Sequence, residues 1–121
     1  MTAYAVANLR PAEHLDDEVF DYMERIQATL DPFGGRFLVH GATLEVIEGQ
    51  GPDALVVIAF PALGDARDWY ASEAYQELVP LRTRHMAGDV VLVDGVAPGY
   101  DPAVTAARMR EAQAAAAAAG R

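Results

Sequence analysis

One histidine lies in a run of mostly aliphatic residues in the first half of the chain. His40 ends the segment 36–40, and strand alternation would place Arg36, Leu38 and His40 on one face. Imidazole titrates near neutral pH, so a histidine here can act as a general base or orient a ligand. Arg36 beside it can steady developing negative charge. The alternative is a core histidine bonded to a backbone carbonyl.

A second group of candidates lies in the second half of the chain. Trp69, Tyr70 and Tyr75 combine flat apolar area with polar tips, which suits a pocket for a planar or carbonyl compound. Arg82 and Arg84 can pair with a carboxylate. Aromatic residues at helical spacing also form ordinary core, and arginines in an acidic chain also serve as solvated partners of Asp and Glu. The predicted site has His40 as catalytic residue and Arg36, Trp69, Tyr70, Tyr75 and Arg82 as ligand-binding residues.

Other kinds of chemistry find little support. The chain has no cysteine, which removes disulfides, thiolate metal sites and cysteine nucleophiles. Its three histidines are far apart and form no i,i+4 pair, so we predict no metal site. Gly34 and Gly35 precede a strand and not a helix, which indicates a turn and not a phosphate loop. We therefore predict no cofactor.

The elements that position these residues can be predicted in the first half. Residues 4–9 form a strand, and a helix begins near Asp16 with one apolar stripe. A second strand covers 36–40, kinks at Gly41 and continues over 44–48 to a turn, after which residues 54–60 return as the third strand. The stripe of the helix consists of Val19, Met23, Ile26 and Leu30.

The second half repeats the pattern of helix and strand. A short helix carries Trp69, and Ser72 is placed to cap a second helical stretch that Pro80 should kink or interrupt. Residues 89–94 form the last strand. Asp101 followed by proline predicts the start of a further, alanine-rich helix, which is either a docking tail or a solvent-exposed helix.

Composition limits the class of protein. A chain of 121 residues is long enough for one domain with a single core. Eighteen Asp and Glu against nine Arg give a net charge of −9, which argues against nucleic-acid binding. No apolar run reaches membrane-spanning length, and the sequence opens directly into a strand pattern, so we expect a cytoplasmic protein that does not bind membranes.

Two strands are apolar on both faces. Residues 55–60 and 90–93 have apolar side chains at odd and even positions alike. Two helices cover only one face of the sheet, so the other face would remain a large exposed patch. A twofold homodimer that joins two sheets face to face solves this. The rival is that the alanine-rich tail folds across the open face, although alanine offers little area per residue.

Several segments together resemble the bacterial family called domain of unknown function 1330. The resemblance covers most of the chain, from about Tyr4 to Val96, and implies an α+β, ferredoxin-like βαββαβ fold in a dimeric α/β barrel. A domain of residues 1–97 would then be followed by a C-terminal helical tail of residues 98–121. The segments that carry the resemblance are 34–41, 45–49, 56–61, 69–76 and 90–95.

The resemblance implies no reaction, so two functions stay open. The first is a cofactor-independent enzyme of the isomerase, cyclase or monooxygenase type, acting on a small molecule with His40 as base and Arg36 or Tyr70 stabilising negative charge. The second is a noncatalytic dimer that binds a small ligand or serves as an accessory protein. The sequence contains no constellation of acid, base and nucleophile that decides between them.

Overall fold

The computed structural model describes residues 1–120, which form a four-stranded antiparallel sheet covered by helices. The strands are β1 (Ala3–Pro11), β2 (Arg36–Val39), β3 (Ala54–Phe60) and β4 (Met86–Asp94). The helices are α1 (Asp17–Leu30), α2 (Leu63–Ala71), α3 (Glu73–Thr83) and α4 (Pro102–Ala119). The spatial strand order is β2-β3-β1-β4. The predicted βαββαβ order with a C-terminal helix is confirmed.

Alternation along the strands separates a covered face from an open face. Ala5 on β1 lies opposite Ile58 on β3 and Leu92 on β4, and this row faces the helices. Val6 lies opposite Val57 and Val91, and this row forms the open face. The core therefore sits on one side of the sheet only. Its largest fully buried side chains are Trp69, Tyr75, Phe60, Leu30, Leu78 and Val19.

The helix boundaries follow local capping chemistry. The Asp16 carboxylate accepts the backbone N–H of Glu18 at 2.9 Å and starts α1. Ser72 separates α2 from α3, because its backbone is extended and its Oγ accepts the N–H of Tyr75 at 3.3 Å. The predicted cap at Ser72 is confirmed. Pro80 does not interrupt α3, which continues to Thr83 with Leu78 and Arg82 buried on either side of the proline.

The predicted continuation of the second strand over residues 44–48 is wrong. β2 ends at Val39, and Gly41 follows with a φ of +68°, a left-handed conformation that turns the chain away from β3. Residues 44–48 form no ladder with β3, and Val46 and Ile47 lie exposed. The predicted hairpin is therefore short, with a long connection between its two strands.

The last helix stands apart from the core. Asp101 caps α4 by accepting the N–H of Ala103 at 2.9 Å, as its sequence predicts. No residue of α4 is buried, and Val104 and Met109 are largely exposed. The tail therefore does not cover the open face of the sheet within this chain. None of the helices in residues 1–120 is both long enough and apolar enough to cross a membrane.

Candidate functional site

A cavity lies between the covered face of the sheet and the helices α1, α2 and α3. Its volume is about 50 Å³, and most of its wall is apolar. Short side chains on β1, Ala5 and Ala7, leave room above the sheet, while Ile26 and Met23 on α1 close the opposite side. The polar side chains in the wall belong to His40, Tyr22, Tyr75, Arg82 and Trp69.

A β-bulge brings His40 to this cavity. Arg36 pairs with Ala59 and Phe37 with Ile58, but the register shifts before Val39 pairs with Val57. The extra residue reverses the alternation, so His40 lines the cavity together with Phe37. Their ring centroids are 5.2 Å apart. The expectation that Arg36 and His40 share a face is therefore wrong: Arg36 lies exposed and does not line the cavity.

His40 occupies the open side of the cavity. Its side chain is exposed, and among residues 1–120 it makes no side-chain hydrogen bond or ion pair. The alternative of a core histidine bonded to a backbone carbonyl is thus wrong for this residue. An imidazole at the mouth can exchange protons with water and with a molecule in the cavity.

Arg82 lies at the inner wall and is almost fully buried, with 6 % of its surface exposed. Its guanidinium carbon is 5.6 Å from the centre of the Tyr22 ring, a cation–π contact. Burial lowers the pKa of Arg82, but the nearby oxygens of Tyr75 and Tyr22 outweigh this and the pKa lies above its ordinary value. The side chain therefore carries a positive charge inside a mostly apolar wall.

Two tyrosine hydroxyls meet beside this guanidinium. The Tyr22 and Tyr75 oxygens are 2.7 Å apart, so one hydroxyl donates to the other. Burial raises the pKa of Tyr22 well above its ordinary value, and the neighbouring Tyr75 adds to the effect. The Tyr22 phenol is therefore neutral at physiological pH. Because one hydroxyl proton remains free, the pair can still donate a hydrogen bond into the cavity.

Trp69 forms the floor of the aromatic cluster. Its indole N–H donates to the Thr29 hydroxyl at 3.0 Å, and Thr29 in turn donates to the Ile26 carbonyl at 2.7 Å. Its ring lies 4.1 Å from that of Tyr75, centroid to centroid. The polar tip of Trp69 is thus already satisfied, and only its apolar surface is available to a ligand.

Four of the six predicted site residues meet at the cavity, namely His40, Trp69, Tyr75 and Arg82. Tyr70 does not line it: its ring packs on the outer side of Trp69 and Tyr75, at 6.1 and 5.6 Å between centroids. Arg36 is the other residue outside the cavity.

Arg84 lies at the surface, although it is only two residues from the buried Arg82. It donates to Glu18 at 3.0 Å, so it is the solvated partner of an acid. His85 also reaches Glu18, at 2.8 Å, and Asp16, at 3.4 Å. The hydrogen bond from His85 is the main reason that the pKa of Glu18 lies below its ordinary value. These ion pairs tie the start of α1 to the end of α3.

Two aromatic residues of the cavity wall, Tyr22 and Phe37, were not predicted as site residues from the sequence. Tyr22 lies three residues after Val19 and four before Ile26, so helical spacing places it on the buried side of α1. Phe37 lies on the covered face of the sheet, and the bulge in β2 places His40 on the same face. The periodicity of α1 contained the signal for Tyr22, but its contact with Tyr75 spans 53 positions and no local pattern reveals it.

Several solved structures share the architecture. The Rhodopseudomonas palustris protein RPA0582, of unknown function and solved in methylated form, is 12 % identical, with 82 % of this chain and 84 % of that chain covered and a TM-score of 0.65. SnoaB, a cofactor-independent oxygenase from Streptomyces nogalater, is 14 % identical, with coverage of 83 % and 98 % and a TM-score of 0.55. At such identities the likeness shows a shared fold.

A third similar structure is a dimeric ferredoxin-like protein of unknown function from Jannaschia sp. It is 14 % identical, with 78 % of this chain and all of that chain covered and a TM-score of 0.52. The fold predicted for this chain, ferredoxin-like α+β, is thereby confirmed. No curated protein matches the sequence. The model of the family described as Domain of unknown function (DUF1330) matches residues 2–96, most of the chain, and the protein belongs to that family.

Proposed function

We propose that the protein is a cofactor-independent enzyme that removes a proton from a small, largely apolar molecule held in the cavity. The observation that carries this is the position of His40, an exposed imidazole at the open side of an apolar cavity, since imidazole is the commonest general base in proteins. Proton removal is common to isomerase, cyclase and monooxygenase chemistry. The shared fold of the oxygenase SnoaB is compatible with this assignment.

The step has a simple balance. An imidazole nitrogen of His40 takes a proton from an acidic C–H bond of the substrate, and the electron pair of that bond moves onto the substrate as an enolate. Water or the imidazolium returns a proton when the anion is quenched. The apolar wall strengthens any charge interaction with the enolate, because the local dielectric is low.

The size of the cavity limits what enters. Its volume of about 50 Å³ is roughly a third of the ~150 Å³ cavity that admits benzene. One end of a substrate therefore enters while the remainder lies at the mouth, beside Phe37 and His40. A larger group requires movement of the flexible side chains Met23 and Met86, which also line the wall.

The second candidate is noncatalytic binding of a small ligand. It is favoured by one observation: within residues 1–120 no side chain bonds to the His40 ring and fixes its orientation, whereas a general base is usually held by a third group. The same cavity then serves only for recognition.

Deuterium exchange separates the two candidates. Phenylacetone, an enolisable ketone, is incubated with the protein in D₂O, and loss of its α-proton signal is followed by ¹H NMR. We expect faster exchange with the wild type than with His40→Asn, which retains a polar group that cannot titrate near neutral pH. His14→Asn, a change at an exposed histidine, is the matched control. Binding without His40-dependent exchange would favour the noncatalytic alternative.

We also propose that two copies pair through the open face of the sheet. Val91 and Val93 on this face are 54 % and 46 % exposed, which leaves an apolar patch uncovered. The dimeric state of the similar Jannaschia protein supports this pairing.

A further inference from the structure

We propose that the molecule bound in the cavity presents an anionic oxygen, a carboxylate or an enolate, to Arg82. This inference rests on the proposed ligand cavity and specifies the chemistry of its occupant. It follows from a charged side chain that the protein itself leaves without a counter-charge.

A guanidinium as deeply buried as that of Arg82 is expected to have a negatively charged partner. Moving a guanidinium out of water has a large free-energy cost, so a buried arginine is ordinarily paired with a carboxylate. Among residues 1–120, no Asp or Glu forms an ion pair with Arg82, although the chain has eighteen acidic residues in all. By contrast, Arg84, only two residues away, forms an ion pair with Glu18. Within residues 1–120 the Arg82 guanidinium therefore has the Tyr22 and Tyr75 hydroxyls beside it but no carboxylate.

The surroundings of Arg82 are suited to an anion. The ring of Tyr22 covers one side of the guanidinium, and the Tyr22 and Tyr75 hydroxyls lie beside it, bonded to each other. A guanidinium offers several N–H donors in a plane, which match the oxygens of a carboxylate or the single oxygen of an enolate. The free hydroxyl proton of the tyrosine pair adds a further donor.

Geometry connects this group with His40. Both side chains line one cavity, the buried Arg82 from the last turn of α3 and the exposed His40 from the position after β2. A substrate whose oxygen pairs with Arg82 therefore extends its apolar part toward the mouth. If the oxygen is that of a carbonyl, the negative charge created by proton removal develops at the guanidinium.

The test uses benzoate as the anionic probe and benzamide as its neutral isostere. Binding is followed by NMR of ¹³C-labelled methionine methyls, because Met23 and Met86 line the cavity. We expect benzoate to bind more tightly than benzamide to the wild type. Arg82→Met should weaken benzoate binding about tenfold or more while benzamide binding is unchanged. Arg84→Met is the matched control and should behave as the wild type.

A second variant and a second anionic probe are added to this experiment. Arg82→Lys retains the charge and should retain part of the preference for benzoate; together with the wild-type comparison it decides the question if Arg82→Met does not fold. 4-Nitrophenol, whose phenolate absorbs in the visible, replaces benzoate to represent an enolate. Tight binding of the phenolate alone would assign the site to enolates, and tight binding of benzoate alone to carboxylates.

The contradicting results are distinct. If benzamide binds as tightly as the anions, or if Arg82→Met leaves anion binding unchanged, the inference about Arg82 is overturned while the ligand cavity stands. If neither charged nor neutral probes move the Met23 and Met86 signals, the ligand cavity itself is contradicted, and the inference with it.

Discussion

At the scale of single residues, the polar side chains in the cavity wall differ in whether they already have a hydrogen-bond or charge partner within the protein. The Trp69 indole is bonded to Thr29, and the Tyr22 and Tyr75 hydroxyls are bonded to each other. Arg82 has an aromatic ring against it but no carboxylate from residues 1–120. Because buried polar groups are costly when unmatched, the proposed anionic ligand would stabilise the folded protein by pairing with Arg82.

Tyr22 gives a pH dependence whose sign is fixed by its environment. The folded protein favours the neutral phenol, since burial raises its pKa above the ordinary value of 10.0. Its contribution to stability is fully present below about pH 10 and is lost as the pH rises above that, because only the unfolded chain ionises there. We expect the melting temperature to fall less steeply above pH 10 in Tyr22→Phe than in the wild type.

Exposed Tyr100 supplies the control for this measurement. Tyr100→Phe also removes one tyrosine hydroxyl, but from an exposed residue that does not line the cavity, so it is the matched control. Equal slopes for the wild type and Tyr22→Phe would show that Tyr22 ionises as easily in the folded protein as in the unfolded chain.

Predictions based on the chemistry of a side chain were more successful than predictions based on its position in a strand. His40, Trp69, Tyr75 and Arg82 were predicted from their chemistry and do line the cavity. The burial of Arg82 could not be predicted, because it depends on the packing of α3 against α1 and not on neighbouring residues. Arg36 was assigned by strict strand alternation, which the bulge in β2 breaks.

At the scale of elements, local signals were strong wherever a cap or a period was involved. Ser72 and Asp101 begin α3 and α4 as predicted, and residues 54–60 form β3 as predicted. Residues 44–48 contain the β-branched residues Val46 and Ile47, which are common in strands, yet the segment pairs with nothing in the described chain. Strand assignment depends on a partner in space, and the sequence of one segment does not contain it.

The helix α4 permits a test of the domain boundary. The family match ends at residue 96, and α4 has no buried residue. We expect truncation after Pro98 to leave the free energy of unfolding nearly unchanged and the melt cooperative. Circular dichroism should lose only the helical signal of the removed segment. A truncated chain that melts broadly or precipitates would mean that the tail stabilises the core, either in its own copy or in a partner.

At the scale of the whole molecule, one face of the sheet is covered by helices and the other face is exposed to solvent. The covered face carries the core and the cavity, whereas the open face exposes Val91 and Val93 to water. The two-sided apolar pattern of β3 and β4 predicted this asymmetry from sequence alone. A second copy on the open face would bury the patch without disturbing the cavity on the other side.

Light scattering tests this assembly. At micromolar concentration the wild type should have twice the 13.0 kDa mass of one chain. Val91→Glu places a charge in the centre of the proposed interface and should shift the protein toward monomer. Val104→Glu on α4, where the side chain is 65 % exposed, is the matched control and should remain dimeric. A wild type that stays folded as a monomer would contradict the pairing.

The central claim is that the cavity between sheet and helices is the place where this protein meets its ligand, and the four methionines test it within one spectrum. Met23 and Met86 line the cavity, whereas Met1 and Met109 are 70 % and 64 % exposed elsewhere. With ¹³C-labelled methionine methyls, titration with benzoate, benzamide and phenylacetone should shift the Met23 and Met86 signals and leave those of Met1 and Met109 in place. Signals of Met23 and Met86 that stay fixed for all three compounds would contradict the claim.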